Sequence, residues 1–236
     1  MSFQMTHMEV AYRLINHLKI KEGREEFILG SVAPDSVHFR DPFKIEDKVH
    51  SHLFEGCGVW SNTQDYDRWM TNINEFWDKY GEDEMDVRRR MFILGICAHC
   101  VTDFYNDLLI WRSLQNEYLP AMTLEDFRSE YYPEAQTVDK WLFQNSRNSE
   151  EIVKLLLAAK ETDLEDYIHA EDTAAMKKHL VDTQYNLPET VDVSGYKYYP
   201  SDKILWFVET VSDRIHGMIL NHRFEDKETV KNTLQN

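Results

Sequence analysis

The sequence contains few of the residues that interrupt helices: glycine occurs 8 times and proline 6 times in 236 residues. The chain therefore has long stretches without a turn signal, and within them apolar residues recur mainly at helical spacing. Segments with the alternating pattern of a strand are scarce, and no repeat or linker divides the chain. The sequence predicts an all-α fold, a single-domain multi-helix bundle spanning residues 1–236.

Cysteine is also scarce, and this excludes two kinds of small scaffold. The three cysteines, Cys57, Cys97 and Cys100, are an odd number and do not form a closed disulfide framework. Cys97 and Cys100 lack the second pair that a zinc ribbon requires. We expect all three to be reduced and buried.

Long apolar runs and an excess of positive charge are missing as well. No apolar run reaches the roughly 18 residues that cross a bilayer, and the N-terminal segment lacks the basic start and apolar core of a secretory signal. The chain is therefore expected to be soluble and cytoplasmic, without a transmembrane segment. Its 26 basic and 42 acidic residues give a formal charge of −16, which repels phosphate backbones and disfavours nucleic acid as a partner.

Helical periodicity marks the main elements. Residues 6–19 carry apolar residues at helical spacing on the same face as His7, so His7 should point into the core. A helix over residues 62–80 carries an aromatic stripe and ends before Gly81, and a longer helix is predicted over residues 83–113. The remaining predictions are a helix end at Gly30, a loop over residues 186–200, and helix starts at Thr123 with Asp126, at Ser149, at Thr162 with Glu165, and at Ser201 after Pro200.

The stretch LGICAHCVTDFYND, residues 94–107, places polar residues in an apolar helix. His99, Asp103 and Asp107 follow one another at four-residue intervals, so neighbouring members lie on one helical face about 5–6 Å apart. Such a pair either forms a buried hydrogen-bonded network or binds a divalent ion. An unpaired carboxylate among apolar side chains is costly, so Asp103 requires a cation or a full set of donors.

Three earlier segments contain further residues able to bind a metal. His7 lies in MTHMEVA, Asp35 lies in LGSVAPDSVH, and KVHSHLF offers His50 or His52. Asp35 follows Ala-Pro, where a turn can hold its side chain, and its structural alternative is to cap the next segment.

The order and spacing of these segments resemble the zinc-dependent phospholipase C family, whose fold is shared with single-strand-specific zinc nucleases. The resemblance covers roughly the first 110 residues and rests on the motifs TH, LGSVAPD, SHL and LGICAHCVTD. It implies a helical bundle around a buried site that holds one or two zinc ions, or other divalent metals, and it favours His52 over His50. The implied ligands are Asp35, His52, His99 and Asp103 for one ion, and His7 with the shared Asp103 for a second.

The resemblance also implies an activity. It predicts a metal-dependent hydrolase that cleaves a phosphate ester or phosphodiester through zinc-activated water, with Asp35 orienting or deprotonating that water. The expected substrate is a small phosphate ester or a phospholipid headgroup. Nearby aromatic residues are candidates for the entrance of the pocket: Phe39, Phe54, Trp60, Phe104 and Tyr105.

The alternative to an enzyme is a protein without catalytic activity. In a non-catalytic helical module, a structural metal or a network of His and Asp would only stabilise the fold. Two other classes of metal enzyme lack their signatures, because the sequence has neither an adjacent His-Asp pair nor the Glu-x-x-His motif of di-iron bundles.

The sequence departs from the family pattern in two places. Characterised members complete the site of the first histidine with the terminal residue of a processed chain, for which Ser2 is the candidate here. They also bind a third ion through a downstream H-x-x-x-E motif, and none follows His99. The nearest substitutes share one helical face, and a polar network is their simpler interpretation: Glu209, Asp213 and His216.

The other polar residues considered, Asp107 and the downstream histidines, are not predicted to be metal ligands. Asp107 lies one turn beyond Asp103 and is a candidate to orient His99 or a water molecule. The remaining downstream histidines have charged neighbours and are predicted to be surface residues: His169, His179 and His222.

Overall fold

The computed structural model describes residues 3–226 and residue 230, and nearly all of its regular structure is helical. The predicted all-α class is confirmed. The strands found among the described residues form one short antiparallel hairpin. The elements in chain order are α1 (Gln4–His17), α2 (Arg24–Gly30), a 3-10 helix (Ala33–Phe39), α3 (Ile45–Ser51), β1 (Gly58–Val59), β2 (Asn62–Thr63), α4 (Tyr66–Tyr80), α5 (Val87–Tyr105), a π-helical turn (Asn106–Trp111), α6 (Arg112–Tyr118), α7 (Leu124–Asn145), α8 (Ser149–Ala158), α9 (Ala170–His179), a second π-helical turn (Leu180–Gln184) and α10 (Ser201–Leu220).

Two glycines allow α2 and α5 to cross in close contact. A β-carbon on Gly30 would lie 2.1 Å from the carbonyl oxygen of Phe92, and one on Gly95 would lie 2.5 Å from a carbonyl oxygen of α2. Both distances are too short for any side chain to be accommodated without a backbone shift. The crossing places Ser31, the residue after α2, beside His99, one helical turn beyond Gly95.

Most predicted helix ends are confirmed. α2 ends at Gly30, α8 begins at Ser149 and α10 begins at Ser201. Thr123 caps α7 by accepting a hydrogen bond from the Asp126 amide at 3.1 Å. The segment predicted as a loop before α10 contains no helix or strand, and all three cysteines are free and buried, as predicted.

Two predicted helices have different starts. The helix predicted over residues 62–80 begins at Tyr66, because the two residues at its predicted start pair in the hairpin. The helix predicted over residues 83–113 begins at Val87, where the Asp86 side chain accepts hydrogen bonds from two amides of the first turn. Tertiary pairing and a later N-cap thus override the apolar periodicity at these ends.

The helix start predicted at Thr162 with Glu165 is wrong. Leu164 and Ile168 form an isolated bridge in this segment, and Glu165 has a φ angle of 44°, which a right-handed helix does not permit. The next helix begins only at Ala170. The Thr-x-x-Glu pattern is short, and a turn can contain it as readily as a helix.

The continuous helix from Val87 to Tyr118 is long and apolar enough to cross a membrane, by length and composition alone. It is the one such helix among the described residues, and 89% of its apolar window is buried inside the protein. Because the core helix of a soluble protein satisfies the same criteria, this is weak evidence for a membrane span.

The N-terminus of α1 is capped by another helix. Phe3 precedes α1 and provides no side-chain hydrogen bond. Asp139 of α7 instead accepts hydrogen bonds from the amides of Met5 and Thr6, at 3.2 and 3.0 Å, and from the Thr6 hydroxyl at 3.0 Å. A carboxylate at this end also interacts favourably with the helix dipole. Asp139 therefore anchors the helix that carries His7.

Candidate metal centre

Five buried residues from separate parts of the chain meet inside the bundle. α1 supplies His7, the 3-10 helix supplies Asp35, His52 directly follows α3, and α5 supplies His99 and Asp103. Each of them is at most 2% exposed. Their possible ligand atoms form two overlapping groups, each within 4.8 Å: Asp35 with His52 and His99, and His7 with His99 and Asp103. The fold thus brings all five candidates together, and their binding of a metal stays a prediction.

His52 and His99 face each other through their Nε2 atoms, which lie 3.2 Å apart. Nδ1 of His99 lies 2.8 Å from the carbonyl oxygen of Ser31, and Nδ1 of His52 lies 3.0 Å from that of Lys48. Because a carbonyl oxygen only accepts, each Nδ1 donates a proton and each neutral ring presents a lone pair at Nε2. Burial lowers the pKa of both imidazoles and favours their neutral forms. Two facing lone pairs repel each other unless a cation lies between them.

The distances between the surrounding atoms can be compared with those of a tetrahedral zinc site. Four ligand atoms at about 2.0–2.1 Å from one zinc ion lie about 3.3 Å from one another. His52 Nε2 lies 3.3 Å from Asp35 Oδ1 and 3.6 Å from Asp103 Oδ2. Asp103 Oδ2 in turn lies 3.9 Å from His99 Nε2. Asp35, His52 and His99 lie within 4.8 Å of one another, and Asp103 belongs to the overlapping group with His7 and His99. Together the four residues offer the nitrogen and oxygen donors that zinc binds.

The two carboxylate oxygens of Asp103 face different candidate ligands. Its Oδ2 atom faces His52 and His99, whereas its Oδ1 atom lies 3.4 Å from His7 Nε2. Both ring nitrogens of His7 are buried and make no hydrogen bond. Such a group is costly to bury, and a cation between His7 and Asp103 would compensate for this cost. The candidate terminal ligand Ser2 lies outside the described residues.

Lys48 is a component of this site that the sequence analysis does not identify. It is 1% exposed, and its Nζ atom donates to Asp35 Oδ1 at 2.8 Å. The same ammonium lies 3.1 Å from His38 Nε2 and over the indole ring of Trp60, 5.0 Å from its centroid. Its position four residues before His52 is the one sequence signal, because that spacing puts both on one helical face.

Neighbouring groups keep both carboxylates of the site ionised. Burial acts to raise the pKa of Asp35, but the ammonium of Lys48 and the imidazole of His52 hold that pKa well below its usual range. Burial also acts to raise the pKa of Asp103, which His7 and His99 hold well below its usual range. Two buried anions beside neutral imidazoles form a donor set suited to a divalent cation.

A comparison with known families agrees with this geometry. Residues 6–105 match the model of the family described as zinc dependent phospholipase C. The predicted resemblance to this family is confirmed over the matched range. The matched range contains Lys48 and all five candidate ligands, whereas the helices from α6 onward lie outside it. No curated protein and no solved structure gives a significant match. The zinc-dependent phospholipase C match and the buried His/Asp groups support a metal-dependent hydrolase.

The fold separates the rival histidine, His50, from this centre. His50 is partly exposed, contacts Glu55 through Nδ1 and stacks on Tyr167 with ring centroids 4.0 Å apart. His52, two residues later, is fully buried, and its carbonyl oxygen accepts a hydrogen bond from the indole of Trp69 at 2.9 Å. Of the two, only His52 reaches the centre.

The substitutes for a third metal site do not reach the centre. Glu209 and Asp213 are exposed, and Asp213 lies 3.8 Å from His17. His216 packs edge-on against the same His17 ring. None of the three belongs to a cluster of possible metal ligands among the described residues. Their arrangement is that of a polar network at the surface.

Asp107 does not orient His99, because the carbonyl of Ser31 already accepts the proton of His99 Nδ1. Asp107 instead accepts a hydrogen bond from the Tyr66 hydroxyl at 2.6 Å. It lines a small cavity of about 20 Å³ together with Asp103. That volume is enough for about one water molecule.

The predicted aromatic entrance is only partly supported. Phe54 and Trp60 line the small cavity beside Asp103. Phe104 and Tyr105 are fully buried core residues, and Phe39 is partly exposed on the 3-10 helix. The sequence could not separate these cases, because all five aromatic residues occur close to the motifs.

A wider cleft of about 500 Å³ opens on the opposite carboxylate, Asp35. Polar side chains dominate its walls, Lys140 contributes an ammonium group, and Phe3 is its one apolar side chain. Two further wall residues are histidines, of which His179 is partly exposed. The other histidine is His38, and the remaining wall residues are Gln4, Gln136, Thr183 and Gln184.

A third group of possible ligands lies apart from the centre and comprises His169, Glu171 and Asp172. Asp172 already accepts a hydrogen bond from Arg40 Nε at 2.7 Å, so this group is a surface ion-pair cluster. His169 is partly exposed and His222 is exposed, in agreement with their predicted surface positions.

Burial of the two central histidines predicts a loss of stability in mild acid for the metal-free protein. Because the folded pKa values of His52 and His99 are lowered, the unfolded chain binds protons below about pH 6.5 that the folded chain excludes. Stability from this source is complete above that pH. It should fall by about 2 kcal/mol between about pH 7 and about pH 5.5. Urea unfolding in a chelating buffer measures the change, and equal unfolding free energies at both pH values would contradict it.

Proposed function

We propose that the protein is a zinc-dependent hydrolase that cleaves a phosphate ester or phosphodiester bond. The observation that carries the proposal is the pair of buried neutral imidazoles, His52 and His99, whose Nε2 lone pairs face each other beside two carboxylates. Asp35, His52, His99 and Asp103 would hold one zinc ion, and His7 with Asp103 would hold a second. Bound zinc supplies Lewis-acid chemistry, which activates water near neutral pH and stabilises charge on a phosphoryl oxygen.

Residues of the chain position the reacting groups. Asp35 lies between the centre and the cleft, and its Oδ2 atom accepts a hydrogen bond from Gln4 at 3.3 Å. Because Lys48 lowers its pKa, Asp35 is a weak base, and in this proposal it orients the attacking water by accepting a hydrogen bond. The carbonyl groups of Ser31 and Lys48 fix the two imidazoles so that Nε2 is the ligand atom.

The second position in the centre favours catalysis over a purely structural role. Structural zinc sites are closed by four protein ligands, whereas catalytic sites keep an open position. Once one ion has used Nε2 of His52 and His99, His7 and Asp103 are the candidate ligands left among the described residues. An ion held by these two would keep coordination positions for water and a substrate oxygen.

Elemental analysis and a substrate panel test the proposal. Protein purified without added metal should contain about one or more zinc per chain. It should hydrolyse at least one of bis(p-nitrophenyl) phosphate, p-nitrophenyl phosphate and p-nitrophenylphosphorylcholine. Chelation should abolish this activity, and Asp35→Asn should lower kcat by at least about a hundredfold, whereas the exposed-site variant Asp213→Asn should not.

The second candidate is the non-catalytic helical module. It is favoured by the presence of four possible protein ligands for one zinc ion, which is the number found in structural sites. Zinc bound at one ion per chain, with no hydrolysis of any ester in the panel, would support the module. Absence of zinc after reconstitution would refute both metal-based functions and leave the His/Asp network.

A further inference from the structure

The buried ammonium of Lys48 is an unusual neighbour for a metal site. Lys48 and Asp35 are 1% and 2% exposed, and Nζ lies 2.8 Å from the Asp35 oxygen that faces His52. A positive charge beside a cation ligand weakens the attraction for a metal ion. The fold nevertheless holds this charge with further contacts to His38 and Trp60. The buried charge of Lys48 should therefore weaken metal binding, and we ask which other interaction it strengthens.

The charges of the centre indicate that this interaction is the binding of an anion. Asp35 and Asp103 carry two negative charges, which the two positive charges of one zinc ion would offset. The ammonium of Lys48 therefore gives the centre a net positive charge with the first ion alone, before a second ion adds to it. A cationic, water-poor site attracts oxyanions strongly, even inside a protein whose overall charge is −16.

We propose that Lys48 is a positioning residue that holds the Asp35 carboxylate and makes the centre cationic, so that it binds a phosphate-type oxyanion at the expense of zinc affinity. The proposal rests on the zinc site proposed above. Lys48 acts through Asp35 and through its charge, because its ammonium is buried and does not line the cleft.

The cleft provides a route for such an anion. Asp35 and His38, both in contact with the Lys48 ammonium, form part of its wall. Lys140 and His179 line the same cleft, and Asp35 is the one acidic residue among the lining residues. An anion entering here approaches the centre past hydrogen-bond donors and the ammonium of Lys140, with the charge of Asp35 offset by Lys48.

Zinc affinity and phosphate affinity should change in opposite directions when the charge is removed. We would compare Lys48→Met, Lys48→Gln and Lys48→Arg with the unmodified chain, using a chelator competition for zinc and calorimetry of inorganic phosphate on the zinc-loaded protein. The neutral variants should bind zinc at least about tenfold more tightly and phosphate at least about tenfold more weakly. Lys48→Arg, which keeps the charge, should remain closer to the unmodified chain in both measurements.

Lys177→Met is the matched control, because Lys177 is also buried and its ammonium contacts Glu161 and the carbonyl oxygen of Ala159, away from the candidate ligands. It should change neither affinity. Lys48→Gln keeps a polar group near Asp35 and serves if Lys48→Met does not fold. Unchanged zinc and phosphate affinities in a folded neutral variant would overturn the role of Lys48 while leaving the zinc site intact. Failure of the unmodified chain to bind zinc would overturn the proposed function and this inference together.

Discussion

Asp103→Asn is expected to remove zinc binding almost completely. Asp103 is the one residue whose two carboxylate oxygens face different candidate ligands, Oδ1 toward His7 and Oδ2 toward His52 and His99. An asparagine of the same shape has no negative charge and only one oxygen. Loss of an outer hydrogen-bond partner alone weakens metal binding by about 10–100-fold, so loss of this ligand should weaken it by at least about 100-fold.

Thermal and chemical unfolding give this prediction a second readout. Zinc at about a thousandfold excess over its dissociation constant should stabilise the unmodified chain by about 4 kcal/mol. Asp103→Asn should lose that stabilisation, while Asp213→Asn on the surface of α10 should keep it. If Asp103→Asn changed neither zinc content nor zinc-dependent stability, the assignment of Asp103 as a ligand would be wrong.

Asp139→Ala is expected to cause the largest loss of stability in the metal-free protein. Asp139 is 2% exposed and accepts hydrogen bonds from the Met5 amide, the Thr6 amide and hydroxyl, and the Tyr185 hydroxyl. Alanine would leave these donors without their acceptor, and a buried unsatisfied donor costs about 1–3 kcal/mol. Because water reaches part of such a cavity, we expect a total loss of about 3–5 kcal/mol in the free energy of unfolding.

The consequence should extend to the metal centre, because Asp139 anchors the helix that carries His7. Zinc stoichiometry in Asp139→Ala should fall toward one ion per chain, since the first site does not use His7. Asp182→Ala, at an exposed position of the second π-helical turn, is the control and should leave stability and zinc content unchanged. An Asp139→Ala protein as stable as the unmodified chain would show that α1 does not depend on this cap.

Local periodicity predicts part of the candidate site. His99 and Asp103 lie four residues apart in an apolar stretch, and a helix with 3.6 residues per turn places them on one buried face. His7 follows from the same reasoning on α1. The prediction of helix starts is less secure: Thr123 caps a helix as predicted, whereas Thr162 lies in a segment whose backbone turns at Glu165.

Local sequence patterns do not decide between His50 and His52. Two positions on a helix that differ by two residues point about 200° apart, so at most one of them can face the centre. Which one does so depends on how α3 packs, and the hydrogen bond from Trp69 to the carbonyl oxygen of His52 belongs to that packing. The family resemblance favoured the histidine that the fold places inside.

The sequence by itself determined the helical class, the burial of the candidate ligands and the family to which their motifs point, because each depends on residue type and short spacing. Only the tertiary structure decided that Ser31 orients His99, that Lys48 holds Asp35 and that Asp139 caps α1. These pairs are separated by 68, 13 and 133 or more positions in the chain. No local period encodes such contacts, since they exist only after helices such as α2 and α5 have packed against each other.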